Sequence, residues 1–143
     1  MSLVFWDSNL FIYFFEGAGN EAVLTKALRD RIRQRGDQIC TSTISLGEIL
    51  VKPIECGDIA RARRYEKFMR SQVRLIGFDV SAALRFAEIR AGGAIKPPDA
   101  MQLACAGHAG VDLFVTNDDH LSHKRVRDVR FIASLPRAHA FLV

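Results

Sequence analysis

The chain is short of several residue types, and each shortage narrows what it can be. Three cysteines, Cys40, Cys56 and Cys105, lie far apart among 143 residues, with no C-x-x-C pair. Neither a disulfide framework nor a thiolate zinc site is suggested, and reduced, mostly buried cysteines in a cytoplasm are expected. No apolar run approaches the ~18 residues of a membrane span. The apolar N-terminus carries Asp7 and Asn9 and has neither a basic leader nor a small-residue cleavage site, so a signal peptide is not expected. There is also no internal repeat, low-complexity tract or linker. At this length a single domain over residues 1–143 is the expectation.

What is present suits a globular chain with a real core: 49% of residues are hydrophobic and 25% charged. The net charge of +4 is compatible with a polyanionic partner, although a solvated surface gives similar totals.

Short apolar runs alternate with longer amphipathic stretches. Leu3 to Trp6, Gln38 to Thr43, Val73 to Phe78, Asp112 to Thr116 and Arg130 to Ile132 read as strands. Helices are expected over Asn9 to Phe15, Glu21 to Arg35, Ser45 to Lys52 (stopped by Pro53), Asp58 to Ser71, Asp79 to Arg90 and Pro98 to Ala109. This alternation predicts an α/β fold, a three-layer α/β/α sandwich around a mostly parallel sheet of about five strands. Such sheets bind ligands beyond the carboxyl ends of their strands.

Acids gather at those ends. Asp7 follows the first strand inside VFWDSNLFIYFF, the most hydrophobic part of the chain, where an ionised carboxylate is costly without a partner. Glu48 lies early in the helix after the second strand, Asp99 opens the helix after Pro97-Pro98, and Asp118-Asp119 follow the fourth strand. Taken singly, Asp99 suits a helix N-terminus, Glu48 a solvated helix face and Asp118-Asp119 a turn. Taken together, carboxylates from four segments repel one another and call for a cation, and oxygen donors suit a hard ion, Mg²⁺ or Mn²⁺.

The motifs Asp7-Ser8-Asn9, Glu48 in an apolar helix, Pro98-Asp99-Ala100 and Thr116-Asn117-Asp118, in this order and spacing, resemble the PIN-domain ribonucleases, VapC-type toxins of toxin–antitoxin pairs in particular. The resemblance implies a catalytic, metal-binding set of Asp7, Glu48, Asp99 and Asp118, with Asn9 and Thr116 as polar supports. Asp119 is a possible further ligand, and Ser8 stands where the family commonly has Thr. It also implies Mg²⁺- or Mn²⁺-dependent cleavage of RNA to 5′-phosphate and 3′-hydroxyl ends, a cognate antitoxin protein and a homodimer.

An acidic centre repels RNA, so cations must hold the strand. Arg61, Arg63, Arg64, Lys67, Arg70 and Arg74 form one basic region, and Lys124, Arg125, Arg127 and Arg130 another. Lys96, Arg64 and Arg125 are candidate RNA contacts. His120 and His123 read as surface residues and His108 as packed or helix-terminal. Phe5, Trp6, Phe11, Phe14 and Phe15 read as core or partner surface. A receiver domain fits less well because its acidic pair comes early, and a haloacid-dehalogenase-type phosphatase less well because Asn9 breaks Asp-x-Asp. A non-catalytic PIN-like RNA-binding module is the remaining alternative.

Overall fold

Alternation along the first strand decides which way each side chain faces. In β1 (Leu3–Trp6), Val4 and Trp6 enter one hydrophobic cluster and Phe5 enters another on the opposite face, as the period-two geometry of a strand requires. A strand apolar on both faces belongs in the middle of a covered parallel sheet. The computed structural model, which describes residues 1–142, places it there.

The chain continues through α1 (Ser8–Glu16), α2 (Gly19–Arg35), β2 (Gln38–Ser42), α3 (Thr43–Glu55), α4 (Ile59–Gln72) and β3 (Arg74–Ile76). It then runs through α5 (Val80–Ala91), α6 (Pro97–Ala109), β4 (Leu113–Thr116), α7 (Asp119–Ser122), β5 (Ile132–Ser134) and α8 (Leu135–Phe141). The five strands are all parallel, in the order β3-β2-β1-β4-β5. Register sets Phe5 of β1 beside Cys40 of β2 and Phe114 of β4, and the two phenyl rings stack at 4.9 Å between centroids.

Helices cover both faces, giving the three-layer architecture the sequence predicts. On one side Phe11 of α1, Leu28 and Ile32 of α2, Met69 of α4 and Leu135 of α8 pack against Val4 and Trp6. On the other, Leu103 and Cys105 of α6 and Ala82 of α5 pack against Phe5 and Phe114. Each of the buried Leu, Ile, Val, Phe and Met side chains stabilises the fold by about 1.5–3 kcal/mol. Cys40 and Cys105 are buried and Cys56 is exposed. No helix among the described residues is long and apolar enough to cross a membrane.

Several boundaries differ from the sequence expectation, each for a local reason. Helix α3 does not stop at Pro53 but runs through it to Glu55. A proline this near the end forfeits one backbone hydrogen bond, while its ring is buried and its carbonyl still accepts Asp58 N–H at 2.9 Å. Strand β2 ends at Ser42, one residue early, because the Ser42 hydroxyl caps α3 by accepting from Ser45 N–H. Strand β3 is shorter than expected, and β5 occupies Ile132–Ser134, displaced toward the C-terminus from Arg130 to Ile132. The short helices α7 and α8 were not expected.

From β1 the chain adds strands outward through β2 and β3, then returns to place β4 on the other side of β1. The order therefore reverses between β1 and β4. At such a reversal the connections leave the sheet in opposite directions and open a crevice beyond the strand ends.

Candidate functional site

Asp7 stands at the carboxyl end of β1, in that crevice, and is 8% exposed. Its amide donates to Val115 C=O of β4 at 3.0 Å, which pins the residue to the neighbouring strand. One carboxylate oxygen accepts Ser8 N–H at 2.8 Å, so Asp7 also caps α1. The other accepts the Thr116 hydroxyl at 3.0 Å. Among the described residues Asp7 forms no ion pair.

The other acids approach from three further elements. Asp99 sits in the first turn of α6, held there by Pro97 and Pro98, whose fixed φ suits a helix start. Glu48 lies on α3 and Asp118 caps α7, accepting His120 N–H at 2.9 Å. Burial foremost, then the charges of Asp99 and Asp118, push the Asp7 carboxyl above its usual range, against the lowering effect of Thr116 and Ser8. Burial and the charge of Asp118 likewise raise Asp99, with Lys96 acting in opposition. Burial raises Glu48, followed by the charges of Asp7 and Asp99, while Gln102 and Ser8 side chains hydrogen-bond it and pull the other way.

The four acids thus share one electrostatic environment. Among the described residues, however, no three His, Cys, Asp or Glu side chains are gathered closely enough to hold an ion as they stand. The donor set is all oxygen, with a buried carboxylate lacking any cationic side chain. That chemistry fits a hard divalent ion held directly by one or two carboxylates and through water by the rest, the usual manner of Mg²⁺.

Thr116 couples the two strand ends. Its hydroxyl donates to Asp7 and accepts Asp118 N–H at 3.1 Å. Asn9 is exposed on the first turn of α1. Asp119 opens α7 and, like Asp118, is exposed. Lys96 lines a cleft with Asp99, Asp118, His120 and Lys124. Arg125 lines an adjoining cavity, whereas Arg64 lies apart, in a groove with Phe14, Phe15, Tyr65 and Phe68. His120 and His123 are exposed, and His108 Nε2 sits 3.1 Å from Asp79 Oδ2.

One part of the site escaped the sequence reading. Gln102 of α6 is 3% exposed and reaches across to the start of α3. Its Oε1 accepts from Ser42 Oγ at 2.5 Å, and its Nε2 donates to Ser45 Oγ at 2.7 Å and to Glu48 Oε1 at 3.4 Å. Thr41 Oγ1 lies 2.8 Å from Trp6 O and 2.9 Å from Ser45 Oγ. A carbonyl only accepts, so Thr41 gives its proton to Trp6 and receives that of Ser45. A directed chain of donors therefore runs from Gln102 to the carbonyl immediately before Asp7. The available signal was a glutamine inside an otherwise apolar helix face and the run Thr41-Ser42-Thr43-Ile44-Ser45.

Fold and site together define a doubly wound α/β protein with an acidic centre at its switch point. The model of the PIN domain family matches residues 4–127, and the chain belongs to that family. No curated protein matches it. Among solved structures it is similar to a chain of the VapBC2 complex of Rickettsia felis bound to a promoter DNA fragment, at 16% identity and a TM-score of 0.69, covering 92% of this chain and 98% of that one. It is also similar to a chain of the DNA-bound VapBC of Salmonella typhimurium, at 22% identity and a TM-score of 0.66, covering 94% and 99%. A toxin–antitoxin complex from Klebsiella pneumoniae is a third, at 20% identity and a TM-score of 0.64, covering 88% and 94%.

Proposed function

We propose that this chain is a divalent-metal-dependent endoribonuclease, a single-domain cytoplasmic toxin of a VapBC-like pair, with Asp7, Glu48, Asp99 and Asp118 as its catalytic acids. The observation that carries the reading is the convergence of these carboxylates, from four elements, at the switch point of a PIN-family fold. The similar chains come from toxin–antitoxin complexes, which supports an antitoxin protein as partner; a homodimer as the working form rests on the family resemblance alone.

When bound, Mg²⁺ or Mn²⁺ would lower the pKa of coordinated water and neutralise charge on the scissile phosphate. Asp7, Glu48, Asp99 and Asp118 would hold the ion, with Asp119 a further candidate. Thr116 and Ser8 N–H hold the Asp7 carboxylate through one bond to each oxygen, leaving each oxygen a lone pair for an ion. Gln102 and Ser8 restrain Glu48 in the same way. Lys96, beside Asp99, offers a counter-charge to phosphate, and Arg125 lies further along the strand's path.

The test is cleavage of an RNA oligonucleotide with Mg²⁺, Mn²⁺ or EDTA, wild type beside Asp7→Asn. The wild type should cut only with an ion present, and the variant should not cut. Cleavage by Asp7→Asn at the wild-type rate removes the assignment. Ion-independent binding of RNA without cleavage leaves a PIN-like RNA-binding module instead.

A further inference from the structure

Beside the acidic cleft lies a second cavity of about 390 Å³, within the roughly 300–1,000 Å³ typical of small-molecule sites. Ile89, Ile95, Leu103 and Val126 give it an apolar floor, with Lys124 and Arg125 at its rim. The two spaces are continuous, since Ala94, Ile95 and Lys124 line both this cavity and the cleft that holds Asp99 and Asp118.

One wall is held in an unusual conformation. The turn from Val126 to Val129 closes through Val129 N–H to Val126 C=O at 3.2 Å. Within it Asp128 takes φ of 70°, the left-handed region that side chains other than glycine seldom adopt. Such a residue persists where its surroundings hold it. Here Arg85 Nε sits 3.4 Å from Asp128 Oδ2, and Gly107 of α6 leaves room where a Cβ would come within 3.3 Å of Asp128 Cβ. Arg127 faces Glu88 at 3.8 Å. Lys124 and Arg125 have no ion pair among the described residues, so the rim carries positive charge over an apolar floor.

We propose that this cavity is a subsite for one unpaired nucleotide of the substrate strand, immediately beside the scissile phosphate. A nucleobase has apolar faces and a polar edge, and its own phosphate is an anion. The floor takes the faces, Glu88 and Asp128 accept from the base edge (an exocyclic amino group, or the ring N–H of uracil), and Lys124 and Arg125 meet the phosphate. A paired base has no free face to offer, so the subsite selects single-stranded or looped RNA. The strand's path to the acids rests on the nuclease reading above; binding in the cavity does not.

The experiment titrates adenosine and uridine 5′-monophosphate, without added metal, into the full chain, Val126→Trp and the double variant Lys124→Glu/Arg125→Glu, read by backbone amide shifts. Shifts should centre on Ile89, Ile95 and Val126, and affinity should fall about tenfold or more in both variants. The surface double variant carries the test if Val126→Trp fails to fold. A parallel series of RNA cleavage substrates, each with one abasic residue, should show a single sensitive position beside the cut in the wild type. Nucleotide shifts absent from the cavity, or affinity unchanged in the variants, overturn the subsite. Cavity binding without any RNA cleavage sustains the subsite and sinks the nuclease reading, whereas cleavage without cavity binding does the reverse.

Discussion

The hydroxyl of Thr116 donates to Asp7 Oδ2 at 3.0 Å across 109 residues of chain. Because the same oxygen accepts Asp118 N–H, one small side chain fixes two acids relative to each other. Thr116→Val keeps the shape, but it leaves that amide without its partner and frees the Asp7 rotamer. The variant should lose RNA cleavage by about tenfold or more, the loss of roughly 1.4 kcal/mol of positioning, and Thr116→Ser should restore most of it. Equal rates for Thr116→Val and wild type in single-turnover cleavage would show that the bridge is idle.

Asp7 also sets a pH dependence of stability in protein free of added ions. Its folded pKa lies above the ordinary 3.8, chiefly through burial. The folded state then binds the proton more tightly than the unfolded state, so stability falls as pH rises from 3.8 through the raised value and stays lowered above it. Asp7→Asn removes that penalty. Asn keeps one acceptor oxygen for the two bonds that Asp7 accepts, so the sign to read is relative: the variant's melting temperature, measured against wild type, should be more favourable at pH 7 than in acid. The difference should move in favour of wild type as the pH falls through the raised value toward 3.8. Calorimetry in EDTA that finds the same difference below pH 3.8 as at neutral pH would contradict the mechanism.

The acids were legible in the sequence and the network behind them was not, for a physical reason. Asp7, Asp99 and Asp118 interrupt apolar or proline-marked strand and helix boundaries, where a charge stands out against its neighbours. Thr41, Ser42 and Ser45 have the composition of any turn or helix cap, and one of them does cap α3. Their further use depends on Gln102, which meets them only after folding brings α6 to β2, 57 residues and more away in sequence. Pro53 misled similarly: proline chemistry stops a helix in isolation, but near a buried end the packing outweighs one lost bond.

Gln102 should therefore matter to stability as well as to Glu48. Gln102→Leu strands the Ser42 hydroxyl and removes the donor to Ser45, at a cost of about 1–3 kcal/mol. Urea denaturation is the check, and an unchanged midpoint at unchanged slope would mean that the network is not holding α6 to α3.

Gly107 makes a separate claim about the turn that walls the cavity. A Cβ there would meet Asp128 Cβ at 3.3 Å and Arg85 Cδ at 3.5 Å. Gly107→Val should destabilise the chain by about 1–3 kcal/mol through overpacking and shift the amide resonances of residues 124–129. Unperturbed resonances there would show that the turn does not rest on α6.

The reversal of strand order between β1 and β4 has a consequence in time. Asp7 leaves the ribosome ahead of Thr116, which holds it and comes 109 residues later. At about 5–20 residues per second, Asp7 waits on the order of ten seconds for its partner. β1 can pair with β2 in that interval, but its other edge stays open until β4 is made. Any chemistry that depends on the Asp7–Thr116 bridge is therefore withheld from the nascent chain until β4 has emerged and paired.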